Sequence, residues 1–158
     1  MRKRKLAGIG VLLGVTALLF GGCNEKEAPQ KLRVGVTYYD QNDTYLNELI
    51  GLFKESLKEI ESDKLEVSVT IRDAAGVQKN QNDQVEELID EGCNILCVNL
   101  VDRADPSEII DLARESEVPI IFFNREPVAE DLRQWEKLYY VGADAKQSGK
   151  LQGELAVD

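Results

Sequence analysis

Nine residues, 94–102 (NILCVNLVD), constrain the fold more than any other stretch of the chain. Ile95, Leu96, Cys97 and Val98 form an unbroken apolar run. So short a run, β-branched in part and apolar on both faces, predicts a central parallel strand covered by helices on each side. Asn99 follows where that strand leaves the core, carrying both donors and an acceptor. Ligands of open parallel sheets bind just beyond the carboxyl ends of strands. Three other apolar runs also end in polar or aromatic residues, so a shared crevice at the strand ends is expected.

Around this strand the signals alternate as an α/β fold requires. Residues 32–38 read as the first strand. Residues 44–60 read as an amphipathic helix with Leu46, Leu49, Ile50, Phe53, Leu57 and Ile60 on one face and Asp43 as its N-cap. Residues 65–71 alternate enough to be a strand nearer a sheet edge. Residues 80–91 predict a helix with Val85, Leu88 and Ile89 inward and Gly92 closing it. A third helix is expected over 106–115, with Pro106 in its first turn. Apolar strands follow at 119–123 and 138–142, the latter reached through a polar excursion containing Trp135. Residues 145–158 are helical in pattern and carry Leu151 and Leu155, which call for a surface to cover.

The first residues are of a different kind. MRKRK and an apolar run from about Leu6 to Phe20, too short for a span of about 20 residues, predict a secretory signal over 1–22. Gly21-Gly22-Cys23 resembles a bacterial lipobox, which would make Cys23 the lipidated mature terminus. Phe20 departs from that pattern, and a simple leader or anchor with an incidental cysteine is the alternative. Residues 23–31 then serve as a polar tether. Cys93 and Cys97, four residues apart across a helix end and a strand, are beyond disulfide reach. Cys97 is expected as a small buried hydrophobe and Cys93 as a free thiol near the surface.

Charge narrows the function. The chain has 19 basic and 29 acidic residues. Four of the basic ones (Arg2, Lys3, Arg4, Lys5) lie in the leader, which leaves 15 against 29, or −14, for the rest. Such a surface argues against nucleic acid or anionic membrane as a direct partner. There is no His, so Ser-His and Cys-His catalysis are excluded along with the commonest metal ligand. With no carboxylate pair at defined spacing either, no enzyme is expected.

The first strand ends in YYDQNDTY (38–45), and no GxGxxG follows it. An acidic loop rich in amides and aromatics is unsuited to phosphate, which wants glycines and backbone N–H groups. It suits a neutral polyol: carboxylates and amides bond hydroxyls, and a ring can lie on the apolar face of a pyranose. Asn99, Asn124-Arg125-Glu126 and Asp144 are offered by the later strand ends.

YYDQNDTY, QKNQNDQ (78–84), VNLVD (98–102), VPIIFFNREP (118–127) and YYVGADAKQSGKLQG (139–153), in that order, resemble the galactose/glucose-binding group of the type I periplasmic binding protein family. The resemblance runs from about Leu32 to the end of the chain. It implies a Rossmann-like parallel-sheet lobe of a two-lobed fold, with 32–144 forming the amino-terminal sugar-binding lobe, 145–158 the first helix of a second lobe, and the rest of that lobe missing. It implies an extracytoplasmic, lipid-anchored monomer that hands a monosaccharide to the permease of an ABC importer, or alternatively a sugar sensor for a chemoreceptor or membrane histidine kinase. By position, Asp43 corresponds to a family carboxylate that bonds a sugar hydroxyl, and Asn99 to an Asn that does the same. Tyr45 stands where the family has a stacking Phe, and Tyr39 matches a tyrosine of the cleft wall. No cofactor or metal is expected in this chain; the calcium loop of some members would belong to the missing lobe.

Each residue also has a plainer reading. Asp43 can be an N-cap alone, Tyr45 helix packing and Asn99 a satisfied turn amide. Asn124, Arg125 and Glu126 read as hinge and cleft-edge structure ahead of sugar ligands. Gln81-Asn82-Asp83 is expected to open a helix and brace the cleft loops. Tyr139-Tyr140 is expected to pack at the hinge.

Overall fold

All five strands of the described residues run parallel in one sheet. The structure is a computed structural model describing residues 28–157; the leader and Cys23 lie outside the described residues. The strands are β1 (Gln30–Tyr38), β2 (Leu65–Asp73), β3 (Ile95–Val98), β4 (Ile120–Phe123) and β5 (Leu138–Val141), in spatial order β2-β1-β3-β4-β5. Helix α1 (Thr44–Glu59) joins β1 to β2, α2 (Gln78–Asp90) joins β2 to β3, and α3 (Ser107–Glu115) joins β3 to β4. Only a 3₁₀ turn at Asp131–Arg133 lies between β4 and β5, and α4 (Ala145–Leu155) follows β5.

The apolar run at 95–98 is the middle strand, and β2, with its alternating pattern, is an edge. Successive side chains along the central strands go to opposite faces. Leu96, Val98, Ile120 and Phe122 pack with Val85 and Leu88 of α2 and Ile109, Ile110 and Ala113 of α3. Val34, Val36 and Cys97 face the other way, with Phe53, Leu57, Ile121 and Phe123 against them. The chain turns from β1 outward to β2 and then returns past β1 to β3. That reversal makes the carboxyl ends of β1 and β3 the topological switch point, where a parallel sheet opens a crevice.

Helix ends account for most boundary differences from the sequence reading. Asp43 caps α1 as expected, its Oδ1 accepting from the Leu46 N–H at 3.0 Å. α2 begins two residues early, at Gln78, because its N-cap is Val77, which has no side-chain acceptor to announce the start. Pro106 is the residue before α3 and not within its first turn. β1 starts at Gln30, whose N–H donates to the Lys64 carbonyl at 2.8 Å. Ile60 is not on the buried face of α1: it ends the helix and is 49% exposed.

Cys93 is also corrected, being buried and not near the surface. α2 ends in a Schellman motif, with Gly92 at φ +83°, its N–H on the Ile89 carbonyl and the Cys93 N–H on the Leu88 carbonyl. The residue after the left-handed glycine in that motif packs back on the last helical turn. Cys93 does so, joining Leu88 in the core. Cys97 is buried as expected, and both thiols are free.

Candidate functional site

The β1 exit is pinned before it reaches α1. Asp40 Oδ1 accepts from the backbone and side-chain nitrogens of Asn42, both at 2.8 Å. Asp73 Oδ1, at the end of β2, accepts from the Gln41 and Ala75 N–H groups. The Gly76 N–H donates to the Tyr39 carbonyl at 2.6 Å. An acidic, amide-rich loop is thereby held in one shape by its own polar groups.

Within that loop, the Tyr39 hydroxyl donates to Asp43 Oδ2 at 2.5 Å. The two Asp43 oxygens are therefore divided: Oδ1 caps α1 and Oδ2 receives the phenol. The phenol bond, followed by the Leu46 N–H, holds the Asp43 carboxyl below its ordinary range. The same bond raises the Tyr39 phenol. A carboxylate offers about four lone-pair directions, so two engaged bonds leave room for a ligand hydroxyl. Capping and ligand binding are compatible at Asp43.

Asn99 leaves β3 beside this loop, its N–H on the Thr37 carbonyl at 2.9 Å. The side chain is wholly buried. Its Nδ2 donates to the Phe123 carbonyl at 3.0 Å and to Asn124 Oδ1 at 3.3 Å, while Oδ1 has no partner. An unpaired buried acceptor costs free energy on the order of 1–3 kcal/mol. The donors of Asn99 are committed to β4, and its acceptor is unpaired but sealed from solvent in this arrangement.

Tyr45 is 60% exposed at the first turn of α1. It borders an apolar groove of about 480 Å³ on the α1 face, lined also by Phe53, Cys97, Phe123, Asn124 and Val141. Lacking polar groups apart from those at its rim, this groove is a gap in the cover of the sheet and not the polar crevice. The structure thus brings Tyr39 and Asp43 into direct contact and sets Asn99 at the neighbouring strand end, while Tyr45 lines the apolar groove.

The braces under the crevice are more extensive than 81–83. Gln81, fully buried in α2, donates to the Asn99 carbonyl and accepts from the Val101 N–H, both at 2.9 Å. Gln78 accepts from the Asp102 N–H at 2.8 Å. Gln84 accepts from the Thr37 hydroxyl and donates to the Asp73 carbonyl. Three glutamines spaced three apart on one helix therefore tie down the exits of β1, β2 and β3. Asp83 instead pairs with Lys79 in solvent. Arg125 is the residue that sequence reasoning undervalued. Its guanidinium stacks 4.5 Å from the centre of the Tyr39 ring, and its Nη1 donates to the Leu100 and Val101 carbonyls. Tyr140, half-buried, donates to the Asn124 carbonyl, and a Cβ on Gly142 would collide with its ring.

A doubly wound parallel lobe with polar side chains gathered at its switch point defines a ligand-binding α/β domain. Residues 34–158 match the model of the periplasmic binding protein domain, and the chain belongs to that family. It is 37% identical over 123 residues to the D-galactose/methyl-galactoside binding periplasmic protein MglB of Haemophilus influenzae, covering 78% of this chain and 36% of that protein. The chain therefore spans about a third of that relative's length. Among solved structures, a carbohydrate transporter solute binding protein from Chloroflexus aurantiacus in complex with D-glucose superposes with a TM-score of 0.65 at 23% identity, over 82% of this chain and 35% of that one. The fructose binding periplasmic domain of a hybrid two-component system superposes with a TM-score of 0.61 at 24% identity, over 79% and 38%. These likenesses establish the one-lobed α/β fold described above.

Proposed function

We propose that this chain is the amino-terminal lobe of an extracytoplasmic sugar-binding subunit of an ABC importer, with galactose, glucose or a methyl-galactoside as ligand. The observation that carries the reading is the Asp43 carboxylate at the β1/β3 switch point, oriented by Tyr39 and neighboured by Asn99, whose one unpaired group is a hydroxyl acceptor. Asp43 and Asn99 Oδ1 accept from sugar hydroxyls, the Tyr45 ring lies along the sugar's apolar face, and Tyr39 forms the wall. The similarity to the galactose-binding relative supports the ligand class. Sugar favours a closed arrangement because only there do two lobes contact it at once. The sugar-sensor alternative has one specific support, the fructose-binding domain of a two-component system with the same fold.

Calorimetric titration of the two-lobed protein with galactose and glucose tests this. Losing a charge-assisted bond at Asp43→Ala, or the buried acceptor at Asn99→Ala, should weaken binding about tenfold or more in each case. Affinity unchanged in both variants would remove the site assignment. We further propose that Cys23 carries a lipid anchor on the outer face of the cell membrane. A mature chain whose mass shows an unmodified Cys23, or an uncleaved leader, would refute the anchor.

A further inference from the structure

We propose that Arg125 is a positioning residue: it locks the β1 exit, which carries Tyr39 and Asp43, to the β3 exit, which carries Asn99, so that the two sugar-binding groups keep a fixed separation. The ligand in this statement rests on the sugar-binding reading, whereas the locking role does not.

Three observations converge on it. First, one side chain from the β4 exit reaches the exits of both β1 and β3: the guanidinium carbon lies over the Tyr39 ring, 4.5 Å from its centre, and Nη1 donates to the carbonyls of Leu100 at 2.8 Å and Val101 at 2.9 Å. A planar, delocalised cation can stack on a ring and bond carbonyls in its own plane at the same time, which an ammonium cannot do as well. Second, the backbone is strained to deliver it. Asn124 sits at φ +61°, and the Arg125 N–H closes back on the Phe123 carbonyl at 2.7 Å. That i to i+2 bond around a positive φ is the rare form of γ-turn, and such strain persists only where the surroundings over-determine it. Asn124 is itself tied to Asn99 through its Oδ1. Third, the carbonyls that Arg125 holds belong to a segment already fixed from beneath by Gln81, at Asn99 and Val101. The β3 exit is clamped from two sides, and Arg125 carries that clamp to the Tyr39 ring, whose hydroxyl holds Asp43. The Arg125 charge also favours the ionised Asp43, though less than the phenol bond does.

A double-mutant cycle decides it, read first without sugar. The Asp43 carboxyl midpoint, followed by NMR in the full-length protein, should rise in Arg125→Met because the phenol is no longer held over it. It should rise further in Tyr39→Phe, and adding Arg125→Met to Tyr39→Phe should raise it by less than Arg125→Met does alone, the remainder being the direct effect of the lost charge. Arg125→Lys, which keeps the charge but not the fork, should fall between wild type and Arg125→Met. With galactose, the single variants should each lose about tenfold in affinity and the double variant no more than the larger of the two. Additive losses would make Arg125 an independent ligand, and an Asp43 midpoint unmoved in Arg125→Met would abolish the lock. If Asp43→Ala leaves sugar affinity intact, the sugar reading fails, and the Asp43 midpoints still decide the role of Arg125.

Discussion

The two faces of the sheet are built from the same strands and are covered very differently. On one, α2 and α3 lie side by side, and Leu96, Val98, Ile109, Ile110, Ile120 and Phe122 are all fully buried. On the other, α1 packs without a second helix beside it among the described residues, and the groove beyond it leaves Phe53, Ile121 and Phe123 only partly buried. The cause lies in the connections. The sheet order runs one way from β2 through β3 and β4 to β5, so right-handed connections put α2, α3 and the β4–β5 segment, with Leu132 and Trp135, on the same face, and only the β1–β2 connection places its helix on the other. The difference teaches that burial here follows topology more than hydropathy: Phe122 and Phe123 are adjacent and chemically identical, yet only one is sealed.

The sharpest test of that contrast is the adjacent pair. Phe122→Ala should cost about 3–5 kcal/mol in denaturant unfolding, and Phe123→Ala about 1–2 kcal/mol, since its ring is already partly in water. Equal losses would mean that the groove is closed in solution. Next is Cys97, at the floor of the groove, where burial pushes the thiol from 9.0 up to about 11. At pH 8 its alkylation in the native chain should be about a hundredfold slower than that of an ordinary thiol, because the thiolate is scarcer by that factor. The folded value lies above the unfolded one, so the stability gained by burying the neutral thiol is fully present below about pH 9 and is lost as pH rises through about 11. Cys97→Ala should flatten that alkaline loss; an unchanged profile would assign it to other groups. Two glycines carry effects of opposite sign. A Cβ at Gly35 would lie 3.0 Å from Leu96 Cδ2 and 3.2 Å from Cys93 Sγ, so Gly35→Ala should destabilise by about 1–3 kcal/mol. At Gly51, in α1, a Cβ meets nothing within 4 Å, and Gly51→Ala should stabilise by about 0.4–1 kcal/mol. Thermal unfolding of the two variants reads both signs.

Local patterns in the sequence carried the elements, and contacts made at a distance escaped it. Apolar runs such as 95–98 and 120–123 mark buried parallel strands by themselves, and Asp43 announces both a helix start and a polar strand end. Arg125 gave no comparable signal. Its partners, Tyr39 and Leu100-Val101, lie 86 and about 25 residues away, and no periodicity encodes such reach. Gln81 could have been found, because it sits four residues before Val85 on the inward stripe of α2, and a polar residue in an apolar stripe must be bonded to something. Cys93 looked exposed because it follows a helix-ending glycine, although the same glycine geometry turns the next residue inward. The sealing of Asn99 depends on β4 arriving beside it, which no feature of VNLVD foretells.

The parallel order of the strands also has a meaning in time. β1 lies between β2 and β3, and its pairing with β3 joins Val34 to Ile95, 61 residues later. No hairpin can hold it while the ribosome works. At about 5–20 residues per second, several seconds pass in which the first strand has emerged with one hydrogen-bonding edge unmatched. Contacts so remote in sequence also place this lobe among slow folders. Its earliest strand must wait for a much later one, and that waiting interval is when the nascent chain is most exposed to mispairing.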